Sequence, residues 1–277
     1  MTDSQFSTRA QYEFANYRLD IRYDGRNYYG WQRHKDKPTI QGALENAVTE
    51  CFGIRHNVEG SGRTDRGAHA LGQVATIRLP KDIDVQEALI RINNALDKDI
   101  EITDLQKVAD DFHARDSAVG KCYRYTIRNH ADLPPEKAGR VWYIPEKLDV
   151  TAMEKACPFF VGTMDYASFA KVPNFKRATT VRTVHSLVLR ADGDSLHFSI
   201  IADGFLYKMV RNIVRTLVRV GEGKTPVSSL PKIITAKSRT AAPGTAPASG
   251  LYLDTVFYDT SSMDAAIRIH QEPRDRP

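Results

Sequence analysis

A chain of 277 residues, 42% hydrophobic and 26% charged, has the balance of a folded water-soluble protein and the length of two linked units, which excludes a disordered chain. No apolar run approaches the roughly 18 residues of a membrane span, and the opening MTDSQFSTRAQYEFAN lacks the basic-then-apolar pattern of a secretory leader, so a cytoplasmic protein is expected. A net charge of +5 suits a polyanionic partner without specifying one.

Residues 17–24 read YRLDIRYD, with Leu19, Ile21 and Tyr23 alternating against Arg18, Asp20 and Arg22, the period of a half-buried strand. Ile40, Ala43, Leu44, Ala47, Val48, Cys51 and Phe52 then share one helical face, and Thr39 after Pro38 suits an N-cap. A glycine-rich loop leads into a strand over 74–79, Asp84 with Glu87 opens a second helix, and 100–108 returns to strand character. The second half begins with Tyr123, Tyr125 and Ile127 alternating in a strand, followed by a helix over 150–160. Paired strands at 180–190 and 195–202 flank Asp192-Gly193-Asp194, which carries hairpin-turn chemistry. A long helix over 206–220 and a strand over 251–258 complete the pattern. Two α+β halves are expected, one over 17–112 and the other over 113–258, joined within 111–120; residues 1–16 and 259–277 read as flexible tails.

Cys51, Cys122 and Cys157 are odd in number, far apart and set in apolar segments, so buried reduced thiols are expected rather than disulfides or metal ligands. His69, His113, His185 and His197 lack metal-ligand spacing. Neither a phosphate-binding Gly-x-x-x-x-Gly-Lys loop nor a dinucleotide fingerprint occurs, and no cofactor is expected.

The most informative segment is GSGRTDRGAHA, residues 60–70, where three glycines in eight residues demand a sharply turning backbone. Asp65 sits between Arg63 and Arg66. That arrangement suits a surface turn with a local ion pair, and equally a carboxylate kept ionised for use as nucleophile or base; local chemistry leaves both open. In the helix over 206–220, Lys208, Arg211, Arg215 and Arg219 line one stripe, and Met209, Val210, Ile213, Val214 and Leu217 the opposite face. Arg215 and Arg219 read as a solvated basic face or as phosphate contacts, while Arg211 borders the apolar side.

GRTDRGAHALGQV closely resembles the catalytic motif of the TruA pseudouridine synthases, Gly-Arg-Thr-Asp-x-Gly-Val-His followed by Gly-Gln-Val. Ala68 replaces the usual Val, and Arg66 occupies a variable position. YDGRNYYGWQ with the later Thr39-Ile40-Gln41, FHARDSAVGKCYRY, DGFLYKMVRNIVRTLVRVGEGK and APASGLYLD resemble further signatures of the family in the required order, over about residues 17–258. Two departures flank the motifs: Asp97 stands where the family usually has Pro, and Met164-Asp165-Tyr166 replaces His-Asp-Phe.

The resemblance implies the pseudouridine synthase fold: two similar α+β halves related by a pseudo-twofold, forming a continuous, mainly antiparallel sheet with helices on one face. It implies an isomerase that converts uridine to pseudouridine in the anticodon stem-loop of tRNA, at tRNA nucleotides 38 to 40, and that works as a homodimer. Asp65 takes the position of the nucleophile, which either attacks ribose C1′ or removes the 2′ proton. Tyr123 takes that of the active-site tyrosine, stacking on the flipped base, and Arg211 that of the arginine paired with the catalytic carboxylate. Arg63 is expected to support the displaced nucleotide, and Lys208, Arg215 and Arg219 to offer phosphate contacts. The competing reading is a non-catalytic RNA-binding module in which Asp65 is structural.

Overall fold

The computed structural model describes residues 13–171 and 179–272. The chain divides into two compact units: one runs through Ala118 and includes Leu253–Val256, and the other comprises Val119–Tyr252 with Phe257 onward.

In the first unit, β1 (Phe14–Tyr23) lies between β3 (His69–Pro80) and β4 (Ile100–Lys107), antiparallel to both, and the two-residue β2 (Glu59–Gly60) adds to β3. Alternation along β1 places Tyr17, Leu19, Ile21 and Tyr23 in the core, while Arg18 and Arg22 pair with Asp20 and Glu101 on the other face. α1 (Ile40–Phe52) starts at Thr39, whose hydroxyl accepts from the Gly42 amide at 3.2 Å, and ends at Gly53, left-handed at φ 68°. α2 (Val85–Ala95) is capped by Asp84, which accepts from the amides of Gln86 and Glu87. Both register shifts of β1 lie at its end, between Asp20 and Tyr23, where the chain leaves the ladder for the segment that carries the site.

The second unit holds β5 (Gly120–Arg128), β6 (Trp142–Tyr143), α3 (Val150–Ala156), β7 (Gly162–Asp165), β8 (Val181–Asp192), β9 (Ser195–Ala202), α4 (Met209–Gly221), α5 (Leu230–Thr235), Leu251, Tyr252 and Phe257 at the ends of β10 (Leu251–Phe257), and α6 (Thr260–Gln271). The order β5-β9-β8-β7 is antiparallel throughout, and β6 runs parallel to β5. Asp192 pairs with Ser195, leaving Gly193 and Asp194 as the turn, with Gly193 at φ 52°.

Three expectations are corrected. The helix expected over 150–160 stops at Ala156 and continues as a 3-10 turn, because Pro158 has no amide to donate and its ring excludes the preceding helical turn. The helix expected from 206 starts at Met209, since Lys208 holds a left-handed φ of 64°. The C-terminal residues read as a flexible tail form α6 from Thr260: Asp259 caps it, and Met263, Ala266 and Ile267 pack on Cys122, Ile201 and Phe257. Cys122 and Tyr123 are neighbours in a strand and point to opposite faces, so α6 adds a helix on the face turned away from Tyr123. At the other end, β1 already begins at Phe14, inside the expected N-terminal tail; residues 1–12 of that tail and 273–277 of the other lie outside the described residues.

Among the described residues no helix is long and apolar enough to cross a membrane, and no group of three or more His, Cys, Asp and Glu could hold a metal ion. All three cysteines are free; Cys122 and Cys157 are buried and Cys51 is half-buried.

Candidate active site

Asp65 opens a tight turn. The Ala68 amide donates to the Asp65 carbonyl at 3.1 Å, and Gly67 takes the third turn position at φ 76°, a type II signature that excludes most side chains there. Residues on either side of the turn are fixed by the unit beneath. Gln73, fully buried on β3, donates to the Gly62 carbonyl at 2.7 Å and accepts from the Gly62 amide at 3.3 Å. Thr64 and Tyr23, both buried, share a hydroxyl–hydroxyl bond of 2.8 Å, and Tyr23 also bonds to Gln73. Burial raises the Tyr23 phenol far above its ordinary range, so it stays neutral.

The YDGRNYYGWQ segment presses on the turn from above. The Gly67 amide donates to the Tyr28 carbonyl at 3.3 Å, the Trp31 amide to the Thr64 carbonyl at 3.1 Å, and the Gly25 amide to His69 Nδ1 at 3.2 Å. Its two glycines are required by that approach. A Cβ at Gly25 would lie 1.8 Å from the Ala68 oxygen, and one at Gly30, where φ is 91°, would lie 2.5 Å from the Thr64 oxygen. The segment that resembles the family's opening signature thus supplies Tyr23, Gly25 and Gly30, and the Gly-Gln-Val end of the motif supplies Gln73, to the frame of the Asp65 turn.

The arginines beside Asp65 do not serve it in the way their spacing suggested. Among the described residues, neither Arg63 nor Arg66 forms an ion pair with Asp65, although Asp65 does have an interaction partner. Both arginines are exposed, and the Arg66 guanidinium lies over the Tyr29 ring, 4.1 Å from its centroid. The local ion pair drawn from adjacency is not formed: Arg66 turns to Tyr29, and Arg63 is exposed.

The remaining candidates belong to the second unit. Tyr123 on β5 is buried, with its ring edge-on to Phe205 at 4.9 Å between centroids, a partner that sequence reading missed. Arg211 on α4 donates through Nε to the Ala246 carbonyl at 2.7 Å, and the Ala246 amide returns a bond to the Arg211 carbonyl, so the guanidinium is held at a fixed angle. Arg215 and Arg219 converge on Glu222, at 3.1 and 3.3 Å, and Lys224 joins them at 3.2 Å. Burial alone would raise the Glu222 carboxyl, but the Lys224 hydrogen bond and the three cations together hold it below its ordinary range. Arg215 also lies 5.3 Å from the Trp142 ring centroid. Lys208 caps α4 from its left-handed position, with its ammonium 5.3 Å from the Tyr207 ring centroid. Apart from Arg211, Arg215 and Arg219, the residues of α4 are buried, so its basic stripe interrupts an otherwise buried helix.

A framed carboxylate turn and an arginine-bearing helix, each on an α+β unit, describe an enzyme class rather than a particular enzyme, and relatives supply the rest. The sequence model of the family described as tRNA pseudouridine synthase matches residues 21–115 and 156–259, and the chain belongs to that family. Among individual relatives, tRNA pseudouridine synthase A of Caldicellulosiruptor saccharolyticus is 40% identical over 243 residues, 88% of this chain and 99% of that protein. The same-named proteins of Acetivibrio thermocellus, 41% identical over 88% of this chain and 99% of theirs, and Rhodospirillum rubrum, 40% identical over 86% of each, are similarly close. The protein is thus an isomerase acting on tRNA, and its α+β architecture is that of the pseudouridine synthase fold.

Proposed function

We propose that the protein forms pseudouridine in the anticodon stem-loop of tRNA, at nucleotides 38 to 40, with Asp65 as the nucleophile. The observation that carries this reading is the frame around Asp65: buried Tyr23, Thr64 and Gln73 and two close-approach glycines fix the backbone on both sides of one carboxylate. A surface turn with a merely structural acid needs no such frame.

The reaction breaks the bond from ribose C1′ to uracil N1, turns the base and joins C1′ to C5; N1 gains a proton and C5 loses one, so nothing is oxidised or reduced. Asp65 attacks C1′ or takes the 2′ proton in the first step. A uridine inside a stem must first leave the stack, at a cost of a few kcal/mol. Tyr123 stacks on the flipped base, Arg63 supports the displaced nucleotide, and Arg211 serves the Asp65 carboxylate; Lys208, Arg215 and Arg219 contact phosphates. These roles rest on the resemblance of the segments and on the fixed settings of Tyr123 and Arg211. A homodimer working in the cytoplasm completes the proposal.

Release of tritium from C5-labelled uridine in an unmodified tRNA anticodon arm tests it. Asp65→Ala should abolish release while tRNA affinity stays within about tenfold. Normal turnover by that variant would sink the assignment, and wild-type protein that binds tRNA without releasing tritium would favour a binding module.

A further inference from the structure

The Asp65 turn carries a second group of side chains that the reaction leaves unused. Arg66 lies over the face of Tyr29 at 4.1 Å from the centroid, and the Lys37 ammonium is 5.0 Å from the same centroid. All three residues are exposed, Tyr29 to 40%. The backbone explains why they meet: the Tyr29 amide donates to the Pro38 carbonyl at 2.8 Å, bringing Lys37 alongside, and the Gly67 amide bonds to Tyr28, bringing Arg66 across.

Their electrostatic setting separates them from most arginines of the same unit. Arg18, Arg22, Arg26, Arg33, Arg78 and Arg91 each have a carboxylate partner. Among the described residues neither Arg66 nor Lys37 is in an ion pair. Two positive charges therefore share one exposed aromatic ring with no carboxylate to neutralise them. A guanidinium stacked on a ring loses little side-chain freedom on binding, and its edge N–H groups remain directed outward as a fork matched to phosphate oxygens. Arg66 and Asp65 share one tight turn, so an anion held at Arg66 lies beside the turn that carries the carboxylate.

We propose that Arg66, braced on Tyr29 and accompanied by Lys37, is a phosphate anchor for the tRNA strand that bears the target uridine. This rests on the reading of the protein as a tRNA pseudouridine synthase that uses Asp65. Arg66 positions substrate through the sugar–phosphate backbone and adds no base specificity.

Equilibrium tRNA binding between about 50 and 200 mM salt, with tritium release measured in parallel, tests the anchor using Arg66→Ala, Arg66→Lys, Lys37→Ala, Tyr29→Phe and Tyr29→Leu. Arg66→Ala should weaken binding about tenfold and reduce the slope of log affinity against log salt by about 0.7 to 0.9, the loss of one phosphate contact, with KM rising and kcat changing less than about twofold. Arg66→Lys and Lys37→Ala should fall between this variant and wild type. Tyr29→Phe should behave as wild type because the ring remains, whereas Tyr29→Leu should weaken binding by about threefold. Unchanged affinity and slope in Arg66→Ala would overturn the anchor, as would weaker binding with the wild-type slope, or a fall in kcat alone. Failure of the wild-type protein to release tritium would remove the catalytic reading by itself, while the salt slopes would still judge the phosphate contact.

Discussion

The hydroxyls of Tyr23 and Thr64 lie 2.8 Å apart in the core, joining the last residue of β1 to the residue immediately before Asp65. The sheet thereby reaches the candidate nucleophile through a single buried bond, backed by the grip of Gln73 on Gly62.

Tyr23→Phe keeps the ring and removes the hydroxyl that bonds to Thr64 and Gln73. It leaves buried polar groups short of a partner, so urea unfolding should report a loss of about 1–3 kcal/mol. Turnover should fall through kcat with KM little changed, since the carboxylate is misplaced while tRNA contacts persist. Wild-type kcat in a folded variant would show that the Asp65 turn holds its place without the hydroxyl pair.

Gly30 and Gly53 form a matched pair for the close-approach claim. Both have positive φ, 91° and 68°, but a Cβ at Gly30 would meet the Thr64 oxygen at 2.5 Å, whereas one at Gly53 meets nothing within 4 Å. Each alanine variant bears a backbone cost of about 1–2 kcal/mol. Only Gly30→Ala should also displace the turn and cut turnover by more than about tenfold. Equal tritium release from the two variants would remove the role given to Gly30.

Arg211 and Arg215 are one helical turn apart and differently engaged. Arg211 is aimed by Ala246, while Arg215 shares Glu222 with Arg219 and Lys224. Arg211→Ala should slow tritium release more than Arg215→Ala, which removes one of three cations that share Glu222. Equal losses would reduce the helix to a row of phosphate contacts.

The cap of α6 gives a pH prediction. Hydrogen bonds from the Ser261 hydroxyl, then from the Ser262 amide and hydroxyl, lower the Asp259 carboxyl to about 2. A folded pKa below the unfolded one, about 3.9, means the cap contributes its stability above that unfolded value and loses it as pH falls through the folded one. Amide hydrogen exchange over 260–271 should therefore speed up between about pH 4 and pH 2 relative to the rest of the second unit. Asp259→Asn, which can still cap but cannot titrate there, should flatten this dependence; an unchanged profile would place the sensitivity elsewhere.

Local signals made much of the fold legible. Thr39 and Asp84 cap the helices they were expected to cap, and the Gly193 turn joins β8 to β9. Features that depend on partners distant in sequence were not legible. Gly25 and Gly30 could be seen as glycines, but their reason lies at Ala68 and Thr64. The pairing of Asp65 with its neighbouring arginines followed from adjacency, yet that pair is not formed, and Arg66 found Tyr29 instead. α6 lies in what was expected to be a tail: its apolar stripe is short, Met263, Ala266 and Ile267, and the value of those three residues depends on the sheet face they cover. The start of α4 at Met209 turned on one left-handed lysine, a conformation with no mark in the residue type.

The placement of Leu253–Val256 in the first unit has a consequence for synthesis on the ribosome. Gly72 on β3 is fitted against the backbone of Asp254, which is translated more than half the chain later. At a typical elongation rate of roughly 5–20 residues per second, the first unit must wait on the order of ten seconds or more for its last piece. The Asp65 turn therefore emerges early, but the unit that carries it is finished only once Leu253–Val256 has been made, so no complete Asp65 unit can meet RNA before then.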